Sequence, residues 1–338
     1  MTESPREPIL SVRDLRVHFD LRGDGWFGAR HILRAVDGVS FELSRSETLG
    51  VVGESGCGKS TLARAVLGLV PITSGEVIFA GQDLAHLDAR QMREQRRHLQ
   101  IIFQDPLASL DPRMTVGQII AEPLGSFFPR MNSQELQSKV VEIMRHVGLL
   151  PEQINRYPHE FSGGQAQRIG IARALILRPE VVVCDEPVSA LDVSIKAQIV
   201  NLLADLQAEF GVSLLFIAHD LASVRHVSHR VMVLYLGKVM ELAPWDEIYR
   251  APRHPYTQAL IKAVPPADPL RARANPAKPL VGEVPSPISP PSGCVFRTRC
   301  PYSIDRCAQE VPALRQIEES FVACHLAEEI QSMSKGNR

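Results

Sequence analysis

No stretch of this chain is a long apolar run. None approaches the roughly 18 to 20 residues that span a bilayer, so any membrane role is expected to be peripheral. The start, MTESPREPIL, carries acids and prolines where a secretory signal needs a basic beginning and an apolar stretch. The expectation is a chain that stays in the cytosol. Surplus charge is missing too: 37 Lys and Arg against 38 Asp and Glu leave a net charge of -1. That balance gives no general attraction to nucleic acid or anionic lipid. Cysteine is sparse ahead of the tail, with Cys57 and Cys184 alone before the last 45 residues, which hold the other four of six. What is present is ordinary globular composition: 338 residues, 45% apolar and 22% charged, enough for a sizeable core and about two domains.

Thr48-Leu49-Gly50-Val51-Val52 is a short apolar strand that runs into Gly53-Glu54-Ser55-Gly56-Cys57-Gly58-Lys59-Ser60-Thr61, after which LARAVLGLV reads as a helix. This is G-x-x-x-x-G-K-[ST] in a strand, loop, helix setting. Glycines let backbone N–H groups turn inward around phosphates, the helix start adds a favourable dipole, Lys59 neutralises the β- and γ-phosphates, and the Ser60 hydroxyl can ligate Mg²⁺. Cys57 is read as incidental to the loop. A second strand, Val181 to Cys184, ends in Asp185-Glu186. Asp185 is placed to hold Mg²⁺ and Glu186 to take a proton from an attacking water. By itself, an apolar run ending in two acids is more often a plain strand end. Upstream, Ser162-Gly163-Gly164-Gln165 opens the helical pattern IGIARALIL and offers N–H donors and a hydroxyl to a second phosphate. A second phosphate site on one chain points to two chains enclosing two nucleotides.

Taken together these residues resemble the ATP-binding subunit of an ABC (ATP-binding cassette) transporter. The resemblance covers about 200 residues in family order. It matches Walker A at Gly53 to Thr61, the Q-loop at Gln104 in IIFQDP, and the signature at Ser162 to Gln165. Walker B lies at Val181 to Asp185 with Glu186 after it, the D-loop at Ser189-Ala190-Leu191-Asp192, and the switch histidine at His219 in LLFIAHD. Two positions depart from the family: Phe161 stands where Leu is usual and Cys184 where another apolar residue is common, and both keep the apolar character. The family's adenine-stacking aromatic is matched best by Phe19. His18 and Trp26 are weaker candidates, and a core phenylalanine is the alternative reading of Phe19.

The resemblance implies an ATPase in which Glu186, His219, Gln104 and Lys59 are catalytic. Ser60, Gln104 and Asp185 would hold Mg²⁺, and Ser162, Gly163, Gly164, Gln165 and Asp192 would reach a nucleotide across a dimer. The implied fold is α/β: a RecA-like P-loop core, an antiparallel β-subdomain over short strands within residues 8 to 50, and a helical subdomain at about 105 to 175. Leu136, Val140, Ile143 and Val147 recur at helical spacing in the last of these. In the family that region receives the membrane partner, which makes Asp105 to Met114 a candidate docking surface; a bland surface loop is the alternative. Ile195, Ile199, Leu202, Leu206 and Phe210 are expected to form the buried stripe of a helix from Ser194 to Phe210.

After about residue 250 the composition shifts, and Val264 to Pro291 is dense in proline, which reads as an extended linker. Cys294, Cys300, Cys307 and Cys324 follow with spacing C-x5-C-x6-C-x16-C, unlike the C-x2-C pairs of most zinc sites. A cytosolic disulfide is disfavoured. Four thiolates suffice for a [4Fe–4S] cluster whose charge Arg297, Arg299 and Arg306 would offset; zinc, or free buried cysteines, are the alternatives. HPYTQAL at His254 to Leu260 and GCVFRTRCP at Gly293 to Pro301 resemble the C-terminal extension of the oligopeptide and dipeptide importers, some of which carry such a cluster there. His325, beside Cys324, is read as a neighbour.

The domain reading is a nucleotide-binding domain at 8–250 and the extension at 251–330. The branch implies two transmembrane permease subunits, a second ATP-binding subunit, identical or homologous, an extracytoplasmic solute-binding protein, and a place on the cytoplasmic face of the membrane. A soluble ABC ATPase acting on nucleic acid or ribosomes is the rival. It calls for coiled-coil insertions, a second cassette or a basic stretch, and the sequence has none of these.

Overall fold

The computed structural model of the chain describes residues 7–22, 30–264 and 282–330. Trp26 and residues 265–281 of the proline-rich stretch lie outside them. In chain order come β1 (Pro8–Arg22), β2 (Arg30–Ser44), β3 (Thr48–Val52), α1 (Lys59–Val66), β4 (Ser74–Phe79), β5 (Gln82–Asp83), α2 (Ala89–His98) and β6 (Leu99–Ile102). Next are α3 (Val116–Phe127), α4 (Ser133–His146), α5 (Gly163–Leu175), β7 (Val181–Asp185), α6 (Val193–Phe210), β8 (Ser213–Ala218) and α7 (Leu221–Val227). The last are β9 (Arg230–Tyr235), β10 (Lys238–Pro244), α8 (Trp245–Arg250), α9 (Pro255–Lys262), a short helix at Asp305–Gln309, β11 (Arg315–Ile317) and β12 (Ser320–Val322).

Two compact bodies share the chain. The first takes residues up to Leu10, Glu42–Thr48 and Ile78–Ala218. Its strands β6, β7 and β8 are parallel, with Leu99 opposite Val181 and Val181 opposite Ser213. Strands β7 and β8 are buried along their whole length, as parallel strands covered on both faces must be. Helices α3, α4 and α5 pack on one another, and Thr115, Asn132 and Ser162 cap them by accepting backbone N–H groups. Helix α6 buries Ile199, Val200, Leu203 and Leu206. Ile195, Leu202 and Phe210 of the expected stripe are only half-buried, because the face in contact is turned toward Val200 and Leu203.

The second body takes Ser11–Phe41, Leu49–Val77 and the chain from His219 onward. Here β3 runs parallel to β9, and β9, β10, β12 and β11 follow as antiparallel neighbours. Within the same body β2, β1 and β4 lie side by side in that order. The short strands expected near the start are instead two of 15 residues each. Asp14 takes a left-handed φ of 43° and interrupts the alternation without ending the strand; Leu15 and Val17 resume it fully buried. Helix α1 stops at Val66, short of the apolar run that suggested a longer one. The tail completes this body's sheet, since β12 adds to the edge of β10 through Glu241 opposite Val322 and Leu242 opposite Phe321.

Candidate functional site

In the second body, β3 delivers the chain into the loop from Gly53 to Gly58, and α1 begins at Lys59. Gly58 has φ +104°, and a Cβ there would stand 2.0 Å from the Ala35 carbonyl oxygen, so only glycine lets the loop close against β2. Lys59 is 4% exposed; its Nζ donates to the Gly53 carbonyl at 2.8 Å and the Glu54 carbonyl at 3.2 Å. A buried ammonium among carbonyl oxygens at the start of a helix is a donor set that fits a polyphosphate. Ser60 and Thr61 follow in the first turn, both half-buried, whereas Ser55 and Gly56 are exposed at the loop's tip. Burial pushes the Cys57 thiol up from its ordinary value, which leaves a neutral packing group. Phe19 sits half-buried within β1, and His18 Nε2 lies 3.2 Å from Asp37 Oδ1. His219 stands at the N-terminal approach to α7, 41% exposed, with Nε2 3.8 Å from Asp220 Oδ2.

The first body carries the remaining residues. Asp185 ends β7 and is 5% exposed. Glu186 follows with a left-handed φ of 49°, its N–H donating to the Ile217 carbonyl at 3.1 Å. A non-glycine residue held there is strained. Gln104 Nε2 donates to Glu186 Oε2 at 3.2 Å, so the Q-loop glutamine and the acid after β7 are brought together. Ser162 is the N-cap of α5; its Oγ accepts the Gln165 N–H at 3.4 Å, while Gln165 Oε1 accepts the Ser162 N–H at 3.0 Å. The expected phosphate hydroxyl is thus a capping group in the single chain. Gly163 is the first residue of α5, and Gly164 follows where a Cβ would lie 2.6 Å from Ile195 Cγ2; the signature helix therefore packs closely on α6. Asp192 is the N-cap of α6 and makes no capping bond with its side chain.

The iron–sulfur expectation for Cys294, Cys300, Cys307 and Cys324 is overturned, and with it the zinc alternative. Among the described residues no group of three or more His, Cys, Asp or Glu side chains could hold a metal ion. The four thiols line a cavity of about 10 Å³, room for one water at most. All are free, and burial raises the Cys294 thiol, pushes Cys300 up to about 11 and Cys324 up to about 12, which disfavours the thiolate form that ligation needs. The arginines assigned to offset the cluster are engaged elsewhere: Arg297 Nε with the Ser292 carbonyl at 2.9 Å, Arg306 with Glu310 at 2.8 Å, and Arg299 with Glu54 at 2.5 Å.

Sequence reading missed two residues, Glu241 and Tyr256, and gave a third, Arg299, a different partner. Glu241, 0% exposed in β10, accepts the backbone N–H of Arg253 at 2.8 Å and of His254 at 3.0 Å; a lone glutamate inside the apolar run VMELAP was the available signal. Tyr256 and Arg299 stood in quoted motifs, but no local spacing pairs them with Glu54.

A sequence profile described as ABC transporter matches residues 36–189, and one described as Oligopeptide/dipeptide transporter, C-terminal region, matches residues 240–307. The oligopeptide transport ATP-binding protein OppF of Salmonella typhimurium is 58% identical over 321 residues, 94% of this chain and 96% of that protein. Its namesake from Escherichia coli is 57% identical over the same shares. Among solved structures, a dimeric post-hydrolysis ATP-binding cassette bound to ADP and Pi superposes with a TM-score of 0.62 at 27% identity, covering 70% of this chain and 98% of that one. The cbiO1 subunit of the cbiONQ transporter complex from Clostridium perfringens superposes with a TM-score of 0.62 at 25% identity, covering 73% and 92%.

Proposed function

The chain belongs to the ABC transporter family, in its oligopeptide-transport ATP-binding branch, and from that premise we propose that it hydrolyses ATP to power oligopeptide import through partner permease subunits. The observation that carries the reading is the loop from Gly53 to Thr61, with the buried Lys59 ammonium turned onto the Gly53 and Glu54 carbonyls at the start of α1. Bound ATP with Mg²⁺ supplies the phosphoryl group whose transfer to water releases the free energy. In this proposal the backbone N–H groups of the loop cradle the phosphates and Lys59 neutralises their charge. Ser60, Asp185 and Gln104 hold the Mg²⁺, Glu186 takes the proton of the attacking water, and His219 contacts the γ-phosphate. Phe19 stacks on adenine. Ser162, Gly163, Gly164, Gln165 and Asp192 serve the nucleotide of a second ATP-binding subunit, identical or homologous.

The proposal extends to the assembly. Two permease subunits receive the chain through Asp105 to Met114, where Leu107 is 49% exposed, and an extracytoplasmic solute-binding protein delivers the peptide. The proposal places the chain as a peripheral subunit on the cytoplasmic face, a reading supported by its oligopeptide-transport ATP-binding relatives; among the described residues no helix is long and apolar enough to cross a membrane. The nucleotide-binding part takes residues 8–250, with its helical segment at about 105 to 175, and the extension takes 251–330. The test is ATP-driven uptake of a labelled oligopeptide by vesicles carrying the permease subunits with wild-type chain or Lys59→Ala. Uptake and phosphate release are expected only with wild type; undiminished uptake with Lys59→Ala would overturn the reading.

A further inference from the structure

One residue joins the phosphate loop to the C-terminal region. Glu54, second in the loop, donates its backbone N–H to the Tyr256 hydroxyl at 2.9 Å. Its carboxylate is clasped by Arg299, Nη1 to Oε2 at 2.5 Å and Nη2 to Oε1 at 3.0 Å. Its carbonyl accepts from Lys59 Nζ at 3.2 Å. The Arg299 side chain is 4% exposed and that of Glu54 26%, so the pair is largely withdrawn from water and its fork geometry is the strong, directional kind.

Both grips are anchored from behind. Tyr256 is 0% exposed on α9, with its ring 4.8 Å from that of Tyr235 and 5.3 Å from that of Phe296. The start of α9 is fixed by His254, whose Nδ1 accepts the Tyr256 N–H at 3.0 Å, and by the buried Glu241 carboxylate beneath it. Arg299 is held by its own N–H to the Phe296 carbonyl at 3.0 Å and by Nη1 to the Tyr235 hydroxyl at 3.4 Å.

We propose that Tyr256 and Arg299 are positioning residues for nucleotide binding, acting through Glu54 to hold the first turn of the phosphate loop in its binding form. The C-terminal region is then a working part of the ATP site. This inference rests on the ATP reading above. The physical reason is preorganisation: a loop left free must be ordered when phosphate arrives, at a cost in affinity, and a loop held beforehand does not incur it. Lys59 Nζ donates to the carbonyl of this same residue, so a Glu54 released from its two partners also loosens the cation that meets the phosphates.

The test compares full-length wild type with Tyr256→Phe, Arg299→Lys, Arg299→Gln, Glu54→Gln and the Arg299→Gln, Glu54→Gln double variant. MgATP is the ligand for equilibrium Kd, KM and kcat, and each melting temperature is recorded. Arg299→Gln is expected to raise Kd and KM by about tenfold, the size one charge-assisted bond supports, and Tyr256→Phe to raise both by a smaller factor, the size of one neutral hydrogen bond, with kcat held. Arg299→Lys should recover part of the loss, keeping the charge without the fork. Placed on Glu54→Gln, Arg299→Gln should cost nothing further, because the coupling is already gone. Unchanged Kd in folded Tyr256→Phe and Arg299→Lys, or an equal penalty for Arg299→Gln in both backgrounds, would sink the inference, as would a fall in melting temperature alone. Should Arg299→Gln fail to fold, Tyr256→Phe, which lacks a single hydroxyl, and Arg299→Lys decide. A wild type that binds no MgATP would instead defeat the ATP reading itself.

Discussion

At the scale of single residues, the proposed chemistry concentrates at Lys59 and Glu186, and each has a structural signature. Lys59 is a buried cation facing backbone oxygens. Removing it, as Lys59→Ala, should weaken MgATP binding by about tenfold or more, since it withdraws a charged hydrogen-bond donor from a desolvated site; equilibrium titration measures this. Glu186 is held in a left-handed backbone conformation with its carboxylate against Gln104. Glu186→Gln keeps the shape and removes the base. Phosphate release at saturating MgATP is expected to fall about 10²-fold or more, the usual weight of a general base, with nucleotide affinity retained. Lys59 was legible from the G-x-x-x-x-G-K-[ST] spacing, whereas Glu186 was picked out only through the set of motifs that carries the family resemblance. Arg299 was legible as a functional residue but assigned to the wrong charge. Its partner lies 245 positions away, and nothing within GCVFRTRCP indicates which carboxylate it will meet.

At the scale of elements, caps and burial decide outcomes. Helix α9 begins at His254, which is fully buried and whose pKa is pushed from 6.5 down to about 3 because burial disfavours the imidazolium. The unfolded chain takes up this proton below about pH 6.5 while the native chain does not until about pH 3. The contribution of neutral His254 is therefore complete above the unfolded value and is lost as pH falls through that window, by up to about 1.4 kcal/mol per unit. His254→Asn retains an N-cap acceptor but does not titrate there. Its melting temperature should fall less steeply than that of wild type between pH 7 and about 4.5, and parallel curves would remove His254 as the source. Gly58→Ala should abolish MgATP binding, because the new Cβ would stand 2.0 Å from the Ala35 carbonyl oxygen in a loop with φ +104°. Strand and helix identities followed the sequence closely at β3, β7 and β8. They failed where pattern and packing part company: Asp14 breaks the alternation of β1 without ending the strand, and α6 presents Val200 and Leu203 in place of Ile195 and Leu202.

At the scale of the whole molecule, the sequence carries one set of ATP motifs and a signature segment suited to a second chain. Under the proposed function, Glu186→Gln with MgATP is expected to sediment as a dimer and to return to monomer when ATP is removed; the species seen by sedimentation velocity checks this, and a monomer at every ATP concentration would argue against the shared site. The tail belongs to the same scale. Its cysteines suggested a metal-tied lobe, yet the chain uses Phe296, Val295 and Ile330, all nearly fully buried, together with the β10 and β12 pairing, to fasten that segment into the second body. Apolar burial and a sheet edge do there what ligation was expected to do.

By itself, the sequence determined much of what is encoded over short range: the phosphate-loop pattern, the acids after β7, the helix opening at Ser162, the apolar strands β3 and β7, and the resemblance that the two family profiles bear out. These are legible because strand period, helix caps and phosphate loops are set by neighbours a few residues apart. Tertiary structure alone decided which buried charges meet, which thiols stay neutral, and that Tyr256 and Arg299 close on Glu54. Those outcomes depend on desolvation and on contacts between residues far apart in the chain, and a linear pattern carries neither.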